Sequence, residues 1–305
     1  DIATKALDNP ISENSHPLDL DREASWSTQN PLSKFPRGAI AGDCLHKIIE
    51  RINFNASLQD LDAKYVIEEE LLRAGLNINL YSIVQEGLSR VLEIPLGKAL
   101  GNITFNQLQT NRRIHELSFD IPIAQTGNQI KALDLANAFL KVPQARFGSL
   151  YAKKLVELDV SCRGFLTGSI DLIFADKADA SLAKWWVVDW KSNWIGIKDE
   201  TQNLEKCGPY HYNDIAMEQV MVTHHYPLQA HLYLIALHRF LKWRVPNYNP
   251  INNLGGYIYV FLRGIPSKNE LKNHPKTSNI PGLIIEKAPI KRVYELDRLF
   301  KGEEK

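Results

Sequence analysis

At 305 residues with 44% hydrophobic content, the chain has room for one large domain or two smaller ones and the make-up of an ordinary globular protein. Its apolar runs fall short of a membrane span and no segment reads as a signal peptide, so a cytoplasmic location with no membrane contact is expected. Cys44, Cys162 and Cys207 are too few and too scattered for a disulfide framework, a four-cysteine zinc site or an iron–sulfur cluster, and a formal charge of +1 lacks the basic excess of a free-standing nucleic-acid binder.

The chain begins at Asp1 rather than Met, and a fragment of a longer protein is expected. Residues 1–34 are rich in Asn, Ser, Asp and Pro and read as a polar linker or arm. Asp43 suits an N-cap, with a helix to about Asn53 that turns Leu45, Ile48, Ile49 and Ile52 toward a core. His46 then falls in the first turn, as a boundary residue or as a ligand. Helical periodicity covers 65–93, with a break at Gly75. Leu117, Phe119, Ile121 and Ile123 alternate with Ser118, Asp120 and Pro122, predicting a half-buried strand at an edge or strand end. Glu116 at its start reads as a solvated carboxylate. A helix is expected over 129–141, ended by Pro143.

Two apolar runs follow, Gly168-Ser169-Ile170-Asp171-Leu172-Ile173-Phe174 and Trp185-Trp186-Val187-Val188-Asp189-Trp190-Lys191. Residues 175–184 between them read as a loop, so the simplest arrangement is an antiparallel hairpin. Asp189 and Lys191 are two apart and share a face, and Asp171 on the neighbouring strand can converge on Asp189. Charges at the end of a buried strand are costly unless paired or put to use. Two carboxylates and a lysine suit metal-assisted phosphodiester hydrolysis. Carboxylate oxygens favour Mg²⁺, and the lysine orients the attacking water or stabilises phosphate charge. Asp62-Ala63-Lys64 and Glu270-Leu271-Lys272 repeat the spacing in polar stretches and read as surface.

Residues 213–243 are helical, with a new helix starting at Tyr226-Pro227. Gln229 and Tyr233 share a face four residues apart. His231 and His238 lie seven apart on this helix, where Arg239 and Lys242 suggest a solvated or DNA-facing surface. Trp190, Trp194, Tyr210, Tyr212 and Tyr226 cluster near the expected site, where rings stack on single-stranded bases; core packing suits Trp190 better and stacking suits Trp194. Residues 256–262 form a strand, the chain turns polar past Pro266, and an amphipathic helix is expected from about Ile290 to Phe300.

Together, Phe35-Pro36-Arg37-Gly38 with Gly42-Asp43-Cys44-Leu45-His46, the Gly168–Asp171 run, Val188–Trp194, Tyr226-Pro227-Leu228-Gln229 with Tyr233, and Gly255–Gly264 resemble the PD-(D/E)xK nucleases. Within them they resemble the RecB family of C-terminal nuclease domains in bacterial exonuclease V. The resemblance implies an α/β restriction-endonuclease-like core over 35–265, a central mixed sheet flanked by helices, with an N-terminal helical portion and a C-terminal extension over 266–305. It implies a Mg²⁺-dependent deoxyribonuclease that cuts single-stranded DNA in double-strand-break processing, with Mn²⁺ accepted in place of Mg²⁺. Asp171 and Asp189 would bind the metal with His46 and the Trp190 carbonyl, Lys191 would position water, and Gln229, Tyr233, Trp194 and Tyr226 would contact DNA. Glu116 would be an acidic residue on the rim. The implied partners are the rest of a RecB-like helicase, RecC-like and RecD-like subunits and the RecA recombinase. No phosphate loop ending in Gly-Lys-Ser/Thr is present, so a motor would have to deliver the strand. An AddA-type nuclease domain, or a non-catalytic DNA-binding or recombinase-docking module on the same fold, are the alternatives.

Overall fold

The computed structural model describes residues 26–123, 129–158, 161–199, 204–274 and 279–303. Most of the arm expected over 1–34 lies outside the described residues; its last part forms a short turn of helix at Pro31–Lys34. In chain order the elements are α1 (Ala39–Arg51), α2 (Leu61–Arg73), α3 (Tyr81–Glu93), β1 (Arg113–Ile123), β2 (Ile130–Lys131), α4 (Ala132–Phe139), α5 (Ser149–Val156), β3 (Ser161–Cys162), β4 (Gly164–Ala175), β5 (Trp185–Lys191), β6 (Ile197–Asp199), β7 (Leu204–Lys206), α6 (Asp214–Thr223), α7 (Tyr226–Arg244), α8 (Pro250–Asn253), β8 (Leu254–Phe261), α9 (Lys268–Asn273), β9 (Leu283–Lys287) and α10 (Ile290–Lys301). The fold is α/β, with a five-stranded mixed sheet in the order β1-β4-β5-β8-β9 flanked by helices, as expected of a restriction-endonuclease-like core.

The predicted hairpin is present. β4 and β5 are antiparallel, with Leu172 facing Val188 and Ala175 facing Trp185. β1 also lies antiparallel to β4, from Arg113 opposite Phe174 to Ile123 opposite Gly164. It is an edge strand, as Pro122 suggested. Polar spacing past Pro266 concealed β9, which joins the sheet at the other edge.

The helix containing His46 begins earlier than expected. Gly38, not Asp43, occupies the N-cap, with φ +96°, and the Gly42 amide donates to the Gly38 carbonyl at 3.0 Å. Asp43 is a strong cap residue, but the left-handed turn open to Gly38 starts the helix first. Asp43 is therefore an exposed residue within α1.

The chain forms two compact units. The first comprises residues through Asn111, Trp190–Gln219 and Tyr259–Ile284. Its core includes an edge-on aromatic cluster of Phe54, Phe105 and Trp190, with the Phe105 and Trp190 centroids 5.0 Å apart. The second comprises Arg112–Asp189, Val220–Ile258 and Ile285–Lys305. Here Trp186 lies so close to Gly255 that a Cβ would come within 2.5 Å of the indole. His231 and His238 are 0% and 6% exposed, which corrects the expectation of a solvated face. His231 Nδ1 donates to the Pro227 carbonyl at 2.6 Å, and its Nε2 accepts from Arg292 at 3.2 Å. His238 is bonded to the Tyr248 hydroxyl at 2.9 Å. Burial pushes the His231 imidazole down to about 3, with the Arg292 charge adding to the effect.

Candidate active site

The β1–β4–β5 register organises the acidic residues. Pairs His115–Leu172 and Leu117–Ile170 bracket Glu116 and Asp171, setting Glu116 opposite Asp171. The β4–β5 ladder ends at Leu172–Val188, and Asp171 and Asp189 are the next residues along the two strands, both with charges that reach Tyr233. Three carboxylates thus occupy one row across three strands. Residues opposite one another on adjacent strands share a face, and like charges there are destabilising. Asp189 is only 3% exposed, whereas Asp171 and Glu116 are half-buried.

Glu116 carries a second anomaly: φ +50°, in the left-handed region that L residues with long side chains rarely adopt. Its carboxylate accepts a hydrogen bond from the Ser169 hydroxyl at 2.9 Å. A strained backbone in mid-strand, beside two other acids, is a feature that clusters at functional sites. The alternation over 117–123 suggested only a regular strand with Glu116 at its start, so neither the strain nor the role of Ser169 was legible there.

Tyr233 on α7 registers the same field. Burial first, then the charges of Asp189, Asp171 and Glu116, drive its phenol far above the ordinary value, against the opposing hydrogen bond from Gln229. The Gln229 amide donates to the Tyr233 hydroxyl at 3.0 Å, and the ring packs edge-on against Phe119 at 6.0 Å. The phenol is therefore neutral at all physiological pH values and keeps its proton as a hydrogen-bond donor. The structure brings Glu116, Asp171, Asp189, Gln229 and Tyr233 together within one unit.

The other sequence-selected residues belong to the first unit, except Tyr226. Lys191 ends β5 two residues after Asp189, and its ammonium lies 5.4 Å from the Tyr259 ring centroid, a cation–π distance. His46 is half-buried on α1. Trp190 is 2% exposed, in the aromatic cluster described above. The Arg37 guanidinium covers the Trp194 ring at 3.7 Å and is ion-paired with Glu205. Tyr226 is 6% exposed and stacked on His224, and Tyr212 is wholly buried; neither presents an open ring for bases. Arg263, in the Gly255–Gly264 run that was given no role from the sequence, is 1% exposed and bonded to four backbone carbonyls.

The donor set fits a hard divalent cation. Carboxylate oxygens suit Mg²⁺, which needs only one or two of them and retains waters, and the negative field that reaches Tyr233 is what a cation would offset. Among the described residues no three His, Cys, Asp or Glu side chains converge as a metal cage, so the protein offers a row of acids rather than a closed site.

A restriction-endonuclease-like α/β sheet with a line of carboxylates across its strands is the class that fold and site define. No protein-family model matches the chain. Among curated proteins it is similar to the RecBCD enzyme subunit RecB of Escherichia coli K12, 30% identical over 249 residues, which is 80% of this chain and 18% of that protein. It is 32% identical to RecB of Buchnera aphidicola subsp. Baizongia pistaciae over 238 residues (77% and 18%), and 27% identical to RecB of Haemophilus influenzae over 276 residues (89% and 19%). Over this segment the chain is related to RecB, as its motifs suggested. It spans roughly a fifth of the length of these relatives. Among the described residues no helix is long and apolar enough to cross a membrane.

Proposed function

We propose that this domain is a metal-dependent deoxyribonuclease, the nuclease part of a RecB-like helicase–nuclease that processes double-strand breaks for recombinational repair. The observation that carries the reading is the row Glu116–Asp171–Asp189, continued along β5 to Lys191. Like charges aligned across a sheet lower stability, and catalysis is the physical reason to keep them. Asp171 and Asp189 are the metal-binding pair, to which the family resemblance adds the Trp190 carbonyl and His46. Mg²⁺, or Mn²⁺ in its place, supplies charge neutralisation at the phosphate and a bound water of lowered pKa.

The remaining roles belong to the chain. Lys191 shares its face of β5 with Asp189 and orients the attacking water, with its ammonium 5.4 Å from the Tyr259 ring centroid. Tyr233, neutral and backed by Gln229, donates to a non-bridging oxygen of the scissile strand. Glu116 holds the Ser169 edge of the row. Single-stranded DNA is the substrate, delivered by the motor of the longer protein. The relatives' name supports RecC-like and RecD-like subunits as partners, with RecA as a further one.

The test is cleavage of circular single-stranded DNA by wild type and Asp189→Ala, with Mg²⁺ and then with EDTA. Wild type cuts only with the ion, and the variant, folded by circular dichroism, does not cut. Equal cutting by the variant would remove Asp189 from the chemistry. Binding without cutting in either ion would favour the non-catalytic module.

A further inference from the structure

Lys191 is the last residue of β5, and the chain beyond it, Ser192 to Gly196, is irregular. A strand end with no ladder beyond it frays, yet a group that orients a water must be held to within about 0.5 Å. Two buried side chains fasten this segment. Arg263 donates from Nε to the Ser192 carbonyl at 2.9 Å. The Tyr212 hydroxyl donates to the Asn193 carbonyl at 2.7 Å and accepts from the Ile195 amide at 3.2 Å. The remaining Arg263 nitrogens reach the carbonyls of Leu32, Phe35 (2.8 Å) and Pro36 (2.6 Å), the stretch that leads into α1. α1 itself comes so close that a Cβ at Gly42 would lie 2.9 Å from the Ser192 Oγ.

We infer that Tyr212 and Arg263 are positioning residues for Lys191: together they fix the three backbone groups that follow it and tie them to the segment opening α1. This rests on the nuclease reading above. Ordinary fold-stabilising bonds saturate helices and ladders. Three of the bonds described above go instead to irregular backbone within four residues of the proposed catalytic lysine, and the other three, from Arg263, to the stretch before α1. Arg263 suits the task because a guanidinium presents five donors in a fixed fork, and carbonyl oxygens solvate its buried charge. Lysine has neither the reach nor the geometry. Tyr212 is held by its own surroundings: its ring lies 6.2 Å from that of Phe261, and any Cβ at Gly264 would strike it at 2.3 Å.

Tyr212→Phe removes only the hydroxyl and keeps the ring, and Arg263→Lys keeps the charge but not the fork. On a single-stranded oligonucleotide with Mg²⁺, each variant should lower kcat by about tenfold or more with KM unchanged within about twofold, because a misplaced group costs rate rather than ground-state binding. Amide hydrogen exchange over residues 191–196 should quicken while α3 and α7 keep their protection. A plain loss of stability would speed exchange throughout and would not split kcat from KM; that result overturns the inference, as does wild-type kcat in Tyr212→Phe. If Arg263→Lys does not fold, Tyr212→Phe decides alone. If wild type itself cuts no DNA, the nuclease reading falls, and unchanged exchange over 191–196 in Tyr212→Phe would separately remove the clamp.

Discussion

Gly42→Ala isolates the closest approach between α1 and the segment after Lys191. Gly42 lies inside a 13-residue helix, where alanine is favoured over glycine by about 1 kcal/mol. Against that gain, the new Cβ would meet the Ser192 Oγ at 2.9 Å, about 0.5 Å inside an ordinary contact; the Ser192 Cβ, at 4.0 Å, is not in the way. Relief requires the serine hydroxyl to leave its rotamer well, at about 0.5–1.5 kcal/mol. The two effects nearly cancel, so Gly42→Ala alone should change stability by less than about 0.5 kcal/mol. In a Ser192→Ala background the obstacle is gone, and the same substitution should stabilise by about 1 kcal/mol. Urea unfolding of the four proteins, with the m-value constant, measures a coupling of about 0.5–1.5 kcal/mol. The same change in both backgrounds would refute the contact as the reason for glycine at this position.

Glu116→Gly should stabilise the fold while cleavage falls. Releasing a left-handed non-glycine residue returns about 1–2 kcal/mol, and glycine's extra chain entropy takes back about 0.5–1, leaving roughly 1 kcal/mol and a Tm higher by about 1–4 °C. A lower Tm would mean that the Ser169 hydrogen bond outweighs the strain. Stability should also fall with acid through His231. Its folded value, about 3, lies below the ordinary 6.5, so between these limits the unfolded chain binds a proton that the folded one excludes. Stability is complete above pH 6.5 and drops by about 2 kcal/mol by pH 5 from this group alone. His211, His225 and His238 are lowered by burial in the same sense. Urea midpoints of His231→Gln should decline less steeply over that range; an unchanged slope would exclude His231 as a source of the acid loss.

The hairpin was legible because its signal is local: two apolar runs, a polar loop and one carboxylate in each run fix strands, pairing and the Asp171–Asp189 row within about twenty residues. Tyr226-Pro227 likewise marked the helix that brings Tyr233 to the acids. Three features depend on chain segments far apart and left no local trace. Glu116 joins the row only through the β1–β4 register and a backbone conformation that no residue pattern announces. His231 and His238 looked solvated beside Arg239 and Lys242, but their partners Arg292 and Tyr248 come from later in the chain, and Arg239 is itself paired with Asp297. Tyr212 resembled a stacking ring by composition, and its hydroxyl turned out to hold backbone. Asp43 shows the remaining kind of miss, in which a good capping residue yields to a glycine with a positive φ five residues before it.

The form of β1 bears also on how the isolated domain behaves at high concentration. An outermost strand invites another chain to add to it and so seeds aggregation. Here the invitation is interrupted twice, by the left-handed kink at Glu116 and by Pro122, which has no N–H to offer, with exposed Ser118 and Asp120 between them. A stray strand therefore finds only a few consecutive residues to zip against, and the same backbone distortion that aligns an acid with Asp171 guards this edge against self-association.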